Sequence, residues 1–151
     1  MHKIQVLRSS LNGELAVPPS KSHSQRAILL ASLASGKSVI SNVLMSPDIV
    51  AMITACEAFG AHIKKQDNKL TIHGVNGSCN FSVQNINAGN SGQVLRFIAA
   101  IASTQSHIIT ITGDRSICER RPIKPYIDAL PQVGARCDSV QGNQHAPISV
   151  Q

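Results

Sequence analysis

One order of elements recurs along this chain of 151 residues: helix, strand, helix, strand, strand, and then the same again. Apolar residues spaced i, i+3, i+4 and i+7 mark four helices. They are carried by Ala27, Leu30, Ala31 and Ala34; by Ile49, Met52, Ile53 and Cys56; by Val94, Phe97, Ile98 and Ile101; and by Ile123, Tyr126, Ile127 and Leu130. Ser46-Pro47-Asp48 opens the second with a cap, a first-turn proline and an acid for the helix dipole, and Gly60 closes it. The third is entered from Asn90-Ser91, the fourth through Pro122, closing near Gly134.

Short β-like stretches fall between the helices. Ser38–Ser41 follows the first helix, His62–Lys64 the second, His107–Thr112 the third and Ala135–Cys137 the fourth. Leu70–Ile72 and Pro147–Val150 come next, across the turns Asp67-Asn68 and Gly142-Asn143, so each pair reads as a hairpin. Ala31-Ser32-Leu33-Ala34-Ser35 resembles Ala99-Ala100-Ile101-Ala102-Ser103 at an offset of 68 residues, and Phe59-Gly60-Ala61 resembles Val133-Gly134-Ala135 at 74. The second copy therefore carries six extra residues, which fall in a loop around Gly113–Arg121. Units of this kind pack on one another, because one alone cannot bury its apolar face.

Composition narrows what such a doubled unit can do. With 42% apolar residues and only 3% aromatic, the core must be aliphatic. Charged residues are 15%, against about 25% in ordinary soluble domains, so some surface is expected to face another domain. No apolar run approaches the ~20 residues of a membrane span, and Met1–Arg8 lacks the apolar stretch of a secretory signal. Neither export nor membrane insertion is expected. Cys56, Cys79, Cys118 and Cys137 lie far apart with no metal-site spacing, which suits reduced thiols in a cytoplasm.

Fourteen Lys and Arg against eight Asp and Glu leave a net charge of +6. A basic surplus suits anionic partners. The charges are scattered and aromatics scarce, so nucleic acid is not expected and small phosphorylated or carboxylated metabolites fit better. Two loops have chemistry for them. In Pro18–Arg26 a rigid proline turn delivers Lys21 and Ser22 to a helix start, with Arg26 one turn later on the same face. Free N–H groups, hydroxyls, an ammonium and a guanidinium there can hold an anion; a Ser-capped helix with solvated charges fits the spacing equally well.

In Asn87–Gln93, Gly89 and Gly92 flank a potential cap and let a ligand approach the backbone at a helix start. The loop fits neither a dinucleotide fingerprint nor a Walker loop, and a flexible turn into a helix is the simpler reading of its residues. The inserted segment adds Arg115, Arg120 and Arg121, with Lys124 beyond; arginine suits bidentate recognition of carboxylate or phosphate, while a solvated face is the default for Arg115 and Lys124. Cys118 in that segment reads as an inert thiol, or as a nucleophile if the arginines lower its pKa. His23 is a solvated loop residue. Of the eight acids only Asp48, Asp114 and Glu119 lie near these loops, and none pairs with another for proton transfer.

Pro19–Ala27, Gly89-Asn90-Ser91-Gly92 with Arg96, and Glu119-Arg120-Arg121-Pro122, in this order and across essentially the whole chain, resemble the 5-enolpyruvylshikimate-3-phosphate synthase family. The resemblance implies an α/β fold of repeated βαβαββ units forming an inside-out α/β barrel, incomplete here. Residues 1–20 would be a first strand and hinge of a partner domain, and residues 21–151 about two of three units of the substrate-binding domain. It implies transfer of an enolpyruvyl group from phosphoenolpyruvate to the 5-hydroxyl of shikimate 3-phosphate, releasing phosphate. Lys21 would touch both substrates, Ser22 and Arg26 would hold shikimate 3-phosphate, and Asn90, Gly92 and Arg121 would receive phosphoenolpyruvate. No cofactor or metal is implied. No catalytic acid or base is identified, so the chain is expected to be a piece of a longer enzyme, packed against the rest of it and inactive alone.

Gln93 departs from the family pattern, standing where a smaller Thr or Ala is usual, and could crowd the phosphoenolpyruvate pocket. Two alternatives stand beside this reading. One is the sister enzyme acting on UDP-N-acetylglucosamine, whose cysteine before an Arg-Pro pair Cys118 resembles, although Lys21-Ser22 departs from its Lys-Asn. The other is a non-catalytic remnant that binds phosphorylated metabolites.

Overall fold

The computed structural model describes residues 3–151. The doubled order is real, and sheet topology displays it. In the first unit α1 (Lys21–Leu33), β1 (Lys37–Ser41), α2 (Pro47–Ala58), β2 (His62–Gln66) and β3 (Lys69–His73) follow one another, and the strands form an antiparallel sheet in the order β1-β3-β2. The second unit runs β4 (Asn85–Asn87), α3 (Gly92–Ala102), β5 (Ile109–Thr112), α4 (Arg115–Arg120), α5 (Lys124–Ala129), β6 (Cys137–Ser139) and β7 (Ile148–Val150). Its sheet order is β4-β5-β7-β6, with β4 parallel to β5 and the other pairs antiparallel. The triplet β5-β7-β6 thus repeats β1-β3-β2.

Local chemistry explains the boundaries. Ser20 caps α1, its Oγ accepting from the His23 N–H at 3.3 Å, and Ser91 caps α3, accepting from the Val94 N–H at the same distance. Pro47 begins α2 where no intrahelical N–H is needed. α5 tightens into a 3-10 turn over Leu130–Val133 and stops at Gly134, whose φ of +88° is left-handed. The first hairpin turns as expected, with Asp67 at φ +51°; in the second the strand expected at Ala135–Cys137 runs over Cys137–Ser139 instead, and Gly142, at +67°, lies in a longer connection between Ser139 and Ile148.

A single aliphatic core joins the units. Ile28, Ile49, Met52, Leu70, Ile72, Leu95, Ile98, Ile109 and Ile111 are among its fully buried members, and Phe59 meets Phe81 edge-on with centroids 5.9 Å apart. Burial pushes the Cys56 thiol up from 9.0 to about 12. A folded value above the unfolded one stabilises the protein fully below pH 9.0, and the contribution drains away as pH rises towards about 12. Between those limits Cys56 is expected to cost stability with each rise in pH. Urea midpoints of Cys56→Ala should therefore fall less than wild type on going from about pH 8 to about pH 10.5; parallel curves refute this.

Two expectations are corrected, and one strand was not foreseen. The first helix does not bury the Ala27–Leu30–Ala34 stripe: Leu30 is 65% exposed, and the inner face carries Ser24, Gln25, Ile28, Leu29, Ala31 and Ser32. Periodicity of apolar residues misjudged the face because two of its buried positions are polar and hydrogen-bonded, Ser24 Oγ accepting from Leu44 N–H and Gln25 donating to Ser91. The segment around Gly113–Arg121 is not a loop but contains α4, begun by Asp114, whose Oδ1 accepts from the Ile117 N–H at 3.0 Å. β4 was unexpected, since three residues with one buried side chain, Ile86, carry no readable alternation.

Residues 3–19, where the sequence reading puts a strand and hinge of another domain, form neither helix nor strand and are almost wholly exposed. Residues 1 and 2 of that stretch lie outside the described residues. No helix among the described residues is long and apolar enough to cross a membrane.

Candidate functional site

The starts of α1, α2 and α3 are laced together by side chains far apart in sequence. Lys21 Nζ lies 3.2 Å from Asp48 Oδ1, an ion pair between the first turns of α1 and α2 that is half open to solvent. Gln25, with no exposed surface, donates from Nε2 to the Ser91 hydroxyl at 2.8 Å and reaches the Asp48 carbonyl at 3.4 Å. One buried amide thereby ties three helix N-termini. Its Oε1 has no hydrogen-bond partner among the described residues. Gln93 Nε2 donates to Ser22 Oγ at 2.9 Å, a second link between α1 and α3.

Around Gly92 the guanidinium groups gather. Arg96 donates to the Gly92 carbonyl at 2.9 Å and to that of Pro122 at 3.5 Å, while Arg121 donates to Asn90 Oδ1 at 2.9 Å. A Cβ built on Gly92 would stand 2.8 Å from Arg96 Nη1 and 3.1 Å from Arg121 Nη1. The lack of a side chain is therefore what lets two cations approach this backbone. The loop before it is braced: Gly89, at φ +58°, donates to Asn87 Oδ1 at 2.8 Å, and its carbonyl accepts from the Asp114 N–H at 2.8 Å. That last bond fastens α4 to the glycine loop, and so carries Arg121 to Asn90.

Of the six candidate binding residues, Lys21 and Ser22 are thus connected to the Asn90–Gly92–Arg121 group through Asp48, Gln25 and Gln93. Arg26 is exposed and has no ion pair among the described residues. The three nearby acids are all engaged: Asp48 with Lys21, Asp114 as a cap, and Glu119 with Arg115 at 2.8 Å. Cys118 Sγ donates to the Gly113 carbonyl at 3.5 Å. Such a site offers donors and positive charge at helix starts and no free carboxylate, which suits holding anions rather than moving protons.

Sequence reasoning gave no binding role to Gln25, Arg96 or Asp48, and took Gln93 only as bulk. The readable signal was Gln25, a polar residue on the helix face that three other motif residues share a loop with. What it touches could not be read.

Comparison with known proteins identifies the family. The model of the EPSP synthase (3-phosphoshikimate 1-carboxyvinyltransferase) family matches residues 7–151. A 3-phosphoshikimate 1-carboxyvinyltransferase of Methanosarcina acetivorans is 42% identical over 148 residues, covering 98% of this chain and 34% of that protein. One from Chlamydia trachomatis is 44% identical over 142 residues, 91% of this chain and 32% of the relative. That of Chlamydia felis is 50% identical over 127 residues, 84% of this chain and 28% of the relative. The solved EPSP synthase of Acinetobacter baumannii superposes with a TM-score of 0.82 at 28% identity, over 92% of this chain and 32% of that one. The chain spans about a third of the length of the relatives it matches, corresponding to their N-terminal portion. The UDP-N-acetylglucosamine alternative is not favoured.

Proposed function

Because the chain belongs to the EPSP synthase family, we propose that it is the N-terminal, substrate-holding portion of a 3-phosphoshikimate 1-carboxyvinyltransferase. In that reaction the 5-hydroxyl oxygen of shikimate 3-phosphate gains a bond to the enolpyruvyl carbon of phosphoenolpyruvate, and the bond from that carbon to phosphate oxygen is broken. Two anions must be brought together against their mutual repulsion. In this reading Lys21 lies between them, Ser22 and Arg26 bind shikimate 3-phosphate, and Asn90, Gly92 and Arg121 bind phosphoenolpyruvate. Fixed positive charge and N–H dipoles then lower the cost of the encounter and orient the reacting groups.

The observation that carries this reading is the lacing of α1 to α3 by Gln25–Ser91 and Gln93–Ser22, which joins the Lys21-Ser22 turn to the Gly92 turn. The engagement of Asp48, Asp114 and Glu119 supports a role in binding, with proton transfer supplied from elsewhere in a longer chain. Exposed apolar side chains support packing against such a remainder: Leu30 at 65%, Val39 at 59% and Ile108 at 55%. Residues 1 to about 20 are read as belonging to a partner domain, for which the exposure of Val6, Leu11 and Leu15 is support. Four free cysteines suit a reducing cytoplasm as the place of action.

The test is ligand titration followed by amide spectra of the labelled protein. Shikimate 3-phosphate is expected to shift Lys21, Ser22 and Arg26, phosphoenolpyruvate to shift Asn90 and Gly92, and the mixture to release no phosphate. Saturation transfer to UDP-N-acetylglucosamine without contact to shikimate 3-phosphate would overturn the assignment.

A further inference from the structure

Gln93 occupies a half-buried position beside Gly92 in the first turn of α3, yet its side chain reaches across 71 residues of sequence to Ser22. The direction of that bond matters. An amide nitrogen has only protons to give, so the Ser22 oxygen must accept. A serine hydroxyl holds a single proton, and with the amide satisfied that proton is left for another acceptor. We propose that Gln93 is a positioning residue which commits Ser22 to donate to a bound anion and couples the α1 and α3 binding turns.

The inference rests on the reading that Ser22 holds shikimate 3-phosphate. It departs from crowding as the role of Gln93. Its amide nitrogen points at Ser22, 2.9 Å away, while the neighbouring Gly92 carbonyl is taken by Arg96. A carboxylate or phosphate oxygen offers no proton, so a donor-only Ser22 complements it, whereas a neutral alcohol could serve a serine of either polarity. Because Gln93 adjoins Gly92, a ligand that settles against Gly92 and Arg121 also settles Gln93 and hence Ser22. Coupling between sites is reciprocal, so each anion should strengthen binding of the other.

The experiment uses the 15N-labelled protein with Gln93→Ala, Gln93→Glu, Ser22→Ala and the Ser22→Ala/Gln93→Ala double variant, each checked by thermal melting. In ligand-free protein, Ser22→Ala should move the Gln93 side-chain amide signals. Shikimate 3-phosphate should bind Gln93→Ala about tenfold more weakly. Gln93→Glu, which can only accept and so takes the Ser22 proton, should lose more. The double variant should bind like Ser22→Ala alone, since the amide acts through that hydroxyl. With phosphoenolpyruvate present, wild type should bind shikimate 3-phosphate more tightly and Gln93→Ala should lose most of that gain.

Wild-type affinity in Gln93→Ala, or losses that multiply in the double variant, would overturn the inference. So would Gln93 amide signals unmoved by Ser22→Ala, whatever the ligand does. Wild-type protein that binds no shikimate 3-phosphate would instead overturn the proposed function, and the anion-facing role of Ser22 with it.

Discussion

Gly74→Ala is expected to lower stability steeply, although it adds one methyl group. A Cβ there would lie 2.1 Å from the Ala34 carbonyl oxygen and 2.5 Å from that of Ala31. These are backbone atoms at the end of α1, and the chain around Gly74 is bound to them. Val75 N–H donates to Ser32 O at 2.9 Å, Asn76 to Ala34 O at 3.1 Å and Gly77 to Leu33 O at 2.8 Å. The last carbonyls of a helix lack intrahelical partners, and here residues 75–77 supply them. Making room for the methyl means pulling these bonds apart, with each abandoned carbonyl costing about 1–3 kcal/mol where it is buried.

Ordinary overpacking costs about 1–3 kcal/mol, in cases where side chains can yield. At Gly74 a loss of about 4 kcal/mol or more is expected, a large part of the roughly 5–15 kcal/mol that holds a domain together. Gly77→Ala is the control. Its φ is +72° with nothing within 4 Å, so it carries only the left-handed penalty of about 1–2 kcal/mol. Urea denaturation followed by far-ultraviolet circular dichroism compares the two. A Gly74→Ala midpoint no lower than that of Gly77→Ala refutes the account.

Gly92→Ala is expected to do the reverse, harming binding and sparing stability. The atoms in its way, Arg96 Nη1 at 2.8 Å and Arg121 Nη1 at 3.1 Å, are the ends of flexible side chains. They can retreat, and alanine at the first position of α3 is a better helix former than glycine by up to about 1 kcal/mol. The melting temperature should hold or rise. Retreat, however, withdraws the guanidinium groups from the place where phosphoenolpyruvate is proposed to sit. A charge-assisted hydrogen bond contributes about 1.5–3 kcal/mol, so affinity for phosphoenolpyruvate should fall about ten- to hundredfold. Binding of shikimate 3-phosphate alone should change far less. Calorimetric titration with each ligand separates these outcomes, and unaltered phosphoenolpyruvate affinity would remove Gly92 and Arg121 from its site.

The same contrast between backbone and side chain explains how much of the protein was legible in its sequence. Caps, first-turn prolines, hairpin turns and apolar periods are signals between near neighbours. They located α2, α3 and α5, the first hairpin and the doubled unit, because each depends on residues within a turn or two of one another. α4 could have been found from Asp114, whose cap at the start of the insertion was read only as a nearby acid. The buried face of α1 could not, since Ser24 and Gln25 look solvent-seeking until their partners Leu44 and Ser91 are known.

The binding turns divide in the same way. Sequence alone determined that Lys21-Ser22 and Asn90–Gly92 each open a helix, that Arg121 lies in an insertion, and that this set of motifs belongs to one family. Tertiary structure decided which of them act together. Lys21 meets Asp48 across 27 residues, Arg121 meets Asn90 across 31, Gln25 meets Ser91 across 66 and Gln93 meets Ser22 across 71. A hydrogen bond has a direction and a reach of about 3 Å, and leaves no period in the chain. It forms only after burial of the aliphatic core has brought the helix starts together.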